Sequence, residues 1–110
     1  MPELIEKDIE RQAALFAALG DPTRLRLFKL LINQRVPDAL CVNAMAIILG
    51  VTQPAVSQHL RVLKNAGLVK GERRGYRVHY YVDPGAMQRF KKLVSTILTI
   101  DDTDNRGEPE

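Results

Sequence analysis

At 110 residues, with 45% hydrophobic and 26% charged side chains, the chain has the length and composition of one globular domain, whose limited core would gain from a partner subunit. No stretch approaches the roughly 20 consecutive apolar residues of a membrane span, so no membrane partner is expected. The acidic opening MPELIEKDIERQ lacks the apolar core of a signal peptide, which points to the cytoplasm. The net charge of +3 is unevenly spread, because residues 53–82 carry six Lys and Arg against Glu72 alone, the footprint of a surface that meets a polyanion.

Ile5, Ile9, Phe16 and Leu19 recur at helical spacing and Gly20 follows as a stop, so a first helix is expected over 5–19. Asp21-Pro22 restarts the chain: the aspartate can accept from the free amides of the next helix, and proline fits a first turn where its missing N–H costs nothing. In TRLRLFKLLINQ the side chains Leu25, Phe28, Leu31 and Ile32 are expected to face a core, with Arg24, Arg26 and Lys29 on a solvated basic face. A short third helix over 42–49 ends at Gly50. Thr52 is a good cap for a fourth helix over 53–66, with Gln53 and Pro54 in its first turn and Val56, Leu60 and Leu63 facing inward. Two helices joined by the tight turn LGVT make a helix-turn-helix, whose second helix enters the DNA major groove.

Beyond Gly67 the period drops from 3.6 to 2. Residues 68–72 and 77–82 read as strands flanking the tip Arg73-Arg74-Gly75-Tyr76, a β-hairpin with a basic end. Tyr80 and Tyr81 alternate faces, so one is expected to be buried and the other exposed. Asp83-Pro84 repeats the cap-then-proline device and opens a last helix over about 85–99, where Met87, Phe90, Val94 and Ile97 form one apolar stripe. The tail DDTDNRGEPE, residues 101–110, has no apolar residue to bury and is expected to be disordered, leaving residues 1–100 as the folded domain. The fold class is therefore mainly α with a small β-hairpin, a winged helix-turn-helix in the order α-α-α-α-β-β-α.

The blocks LFAALGDPTRLRLFKLL (15–31), LGVTQPAVSQHLRVLKNAGLV (49–69) and RRGYRVHYYV (73–82) resemble the ArsR/SmtB family of bacterial and archaeal repressors, over roughly residues 13–98. The resemblance implies a homodimer, held by the first and last helices, that represses transcription at a two-fold symmetric operator in double-stranded DNA. The apolar residues agree with this, since Ile5, Ile9, Met87, Phe90, Val94 and Ile97 lie on terminal helices that so small a core cannot fully cover, and a symmetric copy would cover them.

Exposed residues on the first turns of helix 53–66 would face base edges. Gln53, Ser57 and Gln58 come first, because an amide donates and accepts together, as adenine N6 and N7 require. Arg61 lies one turn later, within reach of a phosphate or a guanine, and Thr52 is placed to cap the helix and touch the backbone. On the wing, Arg73, Arg74 and Arg77 are expected at phosphates or the minor groove. His59, in the middle of the helix, would pack against the wing or reach a phosphate.

No nucleophile-and-base pattern, paired carboxylates or phosphate-binding glycine loop is present, so an enzyme is not expected and no cofactor is implied. In metal-sensing relatives the resemblance places a Cys-x-Cys pair at the start of the third helix. Here Cys41 matches the first ligand, Asn43 stands in place of the second, and Ala44 replaces an acidic residue. One thiolate cannot supply the three or four soft ligands such metals take. The family's other site, on the last helix, needs an Asp-x-His pair, and residues 84–100 contain no Asp, Glu or His. No metal is therefore expected. Cys41 remains a possible thiol sensor or a structural residue, and a winged helix used for protein contact is the alternative to DNA binding.

Overall fold

The computed structural model describes residues 2–34 and 40–99, with side chains from Glu6 onward. The elements are α1 (Pro2–Leu19), α2 (Pro22–Asn33), α3 (Val42–Leu49), α4 (Gln53–Asn65), β1 (Val69–Arg74), β2 (Arg77–Val82) and α5 (Pro84–Leu98), in the order read from the sequence. The expected tail, 101–110, lies outside the described residues, as does the side chain of Ile5.

The starts of α2, α4 and α5 follow from their caps. Asp21 Oδ1 accepts from the amides of Thr23 at 2.9 Å and Arg24 at 3.1 Å, with Pro22 in the first turn of α2. Thr52 Oγ1 accepts from the Ala55 amide at 3.2 Å, and Asp83 Oδ1 from that of Gly85 at 3.2 Å. Between α3 and α4 the chain turns at Gly50, whose φ of 68° is a left-handed conformation that a Cβ would strain. The Val51 amide then reaches back to the Ala46 carbonyl at 3.1 Å, which fixes the angle at which α4 leaves the turn.

The core is built from Leu27, Phe28 and Leu31 of α2, Met45 and Ala46 of α3, Val56, Leu60 and Leu63 of α4, and Leu68 and Val69 beyond it. Burying each large side chain contributes about 1.5–3 kcal/mol, so this cluster is what holds α4 against α2 and α3. The α2 face differs from expectation. Leu25 and Ile32 are 43% and 46% exposed, whereas Leu27, absent from the expected set, is fully buried. The inward stripe runs through positions 24, 27, 28 and 31, and Arg24 sits on it, so a charged residue hid the true phase of the apolar pattern.

The hairpin pairs β1 and β2 antiparallel from Val69↔Val82 to Arg74↔Arg77. Strand β1 therefore starts one residue later and runs two residues further than expected. Only Gly75 and Tyr76 form the turn, and Arg73 and Arg74 are strand residues rather than tip residues. Both Tyr80 and Tyr81 are half-buried instead of dividing between the two faces. Leu40 and Cys41 add to the edge of β2, through a Cys41↔His79 bridge and a Tyr80 amide to Leu40 carbonyl bond at 3.4 Å. The end of α2 covers the hairpin too, where Gln34 Nε2 donates to the Tyr80 carbonyl at 2.9 Å. No described helix is long and apolar enough to cross a membrane.

Candidate nucleic-acid interface

Because α4 buries Val56, Leu60 and Leu63 at helical spacing, its opposite face is left to solvent. Gln53, Ser57, Gln58 and Arg61 are all exposed there, as is the capping residue Thr52. The hairpin stands beside this face. Tyr76 at its turn is 88% exposed, with the Arg77 guanidinium carbon 5.9 Å from the Tyr76 ring centroid.

Gln53 and Ser57 of α4, Tyr76 and Arg77 of the hairpin, and Cys41 and Asn43 at the start of α3 line one groove of about 490 Å³. The structure thus brings two of the expected helix residues together with one wing arginine. Arg74 faces elsewhere, lining a separate cavity with Glu72, His79 and Tyr81, and its Nη2 and Nε lie 2.6 and 2.9 Å from Glu72 Oε1. Arg61, Gln58 and Arg73 are exposed but do not line the groove.

His59 does not pack against the wing, the first of the two places expected for it. Its Nδ1 lies 3.4 Å from Arg24 Nη1, while Arg24 Nε donates to the Ala18 carbonyl at 2.7 Å. The ring therefore packs toward the α1–α2 corner, away from the wing. The same corner holds the Asp21 carboxyl below its ordinary value, chiefly through the hydrogen bond from the Arg24 amide, with the Thr23 amide and the positive charge of Arg24 adding to it.

The starts of α3 and α4 are also joined by a side-chain bond that their residue types do not predict. Gln53 Nε2 donates to Asn43 Oδ1 at 2.8 Å, so the residue that stands in place of a thiolate ligand is tied to the first residue of α4. The short turn that brings the two helix starts together was readable, but nothing in the residue types announced the bond. Cys41 is half-buried, and its carbonyl accepts from the Met45 amide at 3.0 Å. Among the described residues, no three His, Cys, Asp or Glu side chains gather as a metal site would require.

At the terminal helices, the rings of Phe16 of α1 and Phe90 of α5 meet in a tilted pair, with centroids 5.6 Å apart and planes at 52°. Met87 and Phe90 pack on the chain's own core and Val94 is half-buried, while Ile9, Ile97 and Leu98 are 51%, 50% and 73% exposed.

A helix-turn-helix with an exposed polar second helix and a basic two-stranded wing defines the winged helix-turn-helix class of DNA-binding domains. The sequence pattern of the bacterial regulatory protein, arsR family, matches residues 21–70. An uncharacterized HTH-type transcriptional regulator of Methanocaldococcus jannaschii is 38% identical over 80% of this chain and 96% of its own length. A transcriptional repressor SmtB homolog of Synechocystis is 42% identical over 91% of this chain and 74% of its own. The chain belongs to the ArsR family and is a DNA-binding transcriptional regulator, not an enzyme. Among solved structures, the homodimeric winged helix-turn-helix DNA-binding domain of a possible ArsR-family regulator from Mycobacterium bovis is similar, with a TM-score of 0.68 and 27% identity over 84% of this chain and 82% of that one. A possible transcriptional regulator for arsenical resistance gives 0.65 and 34% over 83% and 88%.

Proposed function

We propose that the protein is a homodimeric repressor in the cytoplasm that binds a two-fold symmetric operator, with α4 in the major groove and the hairpin on the flanking backbone. The observation that carries this reading is the groove in which Gln53 and Ser57 of α4 face Arg77 of the hairpin. Gln53, Ser57 and Gln58 read base edges, Thr52 and Arg61 meet the backbone, Arg73 and Arg77 meet flanking phosphates, and Arg74 joins them only on leaving Glu72. The exposed Ile9 and Ile97 support burial against a second copy. Met87, Phe90, Val94 and Ile5 complete that interface in this reading.

The signal to which the repressor responds does not pass through the family's Cys-x-Cys site, since Asn43 occupies the second ligand position. Cys41 is in this reading a structural residue of the groove wall, and Cys41→Ser leaves operator binding unchanged in the presence and absence of peroxide. Loss of a peroxide response in that variant would instead assign the thiol a sensing role. Selection of sites from random duplex DNA at low salt tests the whole reading. It is expected to enrich a two-fold symmetric motif, and failure to enrich any motif would favour a protein-contact module.

A further inference from the structure

The tie between Asn43 and Gln53 has a consequence for how the operator is read, and this inference rests on the proposed role of Gln53 at a base edge. Gln53 is the first residue of α4, and Asn43 is the second residue of α3. Both side chains are exposed, yet Gln53 Nε2 donates to Asn43 Oδ1 at 2.8 Å. An untethered glutamine at this position would sample many rotamers and could present its amide either way round, oxygen or nitrogen toward the DNA. With Asn43 Oδ1 as the acceptor, the bond narrows that freedom before DNA arrives and favours the orientation that leaves Oε1, with one remaining N–H, to meet the groove. A fixed oxygen beside an N–H matches the N6 donor and N7 acceptor of adenine.

We infer that Asn43 is a specificity-determining positioning residue: lying outside the reading helix, it orients the Gln53 amide so that Gln53 discriminates in favour of adenine at one position of each half-site. Asn43 bonds no base in this account. Its effect reaches the DNA only through Gln53, and this separates it from a residue that merely supports the fold.

The test compares the parent, Asn43→Ala, Asn43→Asp, Gln53→Ala and the Asn43→Ala/Gln53→Ala double variant on an operator series in which every half-site base pair is substituted in turn. Gln53→Ala is expected to lower discrimination at a single adenine position by roughly five- to a hundredfold. Asn43→Ala should lower it at that same position and no other, and the double variant should be no worse there than Gln53→Ala. Asn43→Asp keeps the acceptor, so it should retain the discrimination while weakening binding at all positions alike through its added negative charge. The inference is overturned if Asn43→Ala weakens all positions equally, if its effect adds to that of Gln53→Ala, or if Asn43→Asp loses discrimination as Asn43→Ala does. If Gln53→Ala changes no position, the base-reading role of Gln53 fails and the inference goes with it. That outcome is distinct from a Gln53 effect that Asn43 does not share. Thermal melts of the free proteins are expected to agree with the parent, because the bond lies at the surface.

Discussion

Arg24 and Ala18 meet at the corner between α1 and α2, where Arg24 Nε donates to the Ala18 carbonyl at 2.7 Å while the stem of Arg24 lies on the inward stripe of its helix. The guanidinium also faces His59 of α4, so one side chain ties the end of α1 to the helix that would read DNA. A charge-assisted bond of this kind contributes about 1.5–3 kcal/mol. Arg24 Nη2 also donates to the Ala17 carbonyl at 3.5 Å. Arg24→Ala is expected to destabilise the protein by about 1–3 kcal/mol in urea unfolding, and Arg24→Lys should recover only part, since a lysine cannot reach the Ala17 and Ala18 carbonyls with a planar fork.

The cap of α2 gives a pH dependence with a definite sign. The folded state holds the Asp21 carboxyl below its ordinary value, so its contribution is present above the ordinary aspartate value of about 3.9 and is lost as pH falls through the lower folded value. The Tm difference between parent and Asp21→Ala should accordingly be full near neutral pH and shrink in acid. A difference that grew in acid would contradict the assignment.

How much of this was legible in the sequence depended on whether a local rule stood alone. The caps at Asp21, Thr52 and Asp83 were readable because each rule involves only the next three residues. The inward face of α4 was readable because no charged residue interrupts Val56, Leu60 and Leu63. On α2 the stripe contains Arg24, whose head group finds its acceptors on another helix, so the apolar count favoured Leu25 and Ile32 over Leu27. The same limit hid the Asn43–Gln53 bond and the turn of His59 toward Arg24. Such contacts depend on where two helices meet, which no single stretch encodes.

The two kinds of DNA contact should separate in salt titrations. Arg77→Ala is expected to weaken binding to all sequences and flatten the slope of log K against log salt by about 1. Arg74→Ala should change that slope less, because Glu72 already holds the Arg74 guanidinium. Gln58→Ala should leave the slope alone and cost about 1–3 kcal/mol at one operator position.

Ile97 on α5 is 50% exposed in the single chain. Ile97→Asp is expected to shift the protein from dimer to monomer in sedimentation velocity and weaken operator binding at least tenfold, with a far-ultraviolet circular dichroism spectrum like that of the parent. A dimer that tolerates the aspartate would place the interface elsewhere.

The central claim is that two copies of α4 and the hairpin engage one operator symmetrically. Hydroxyl-radical footprinting of the purified protein on an enriched site tests it most directly. Two equal protected patches related by a dyad are expected, their centres one or two helical turns apart, about 10 or 20 base pairs. A single patch, or protection that ignores the symmetry of the site, would contradict it.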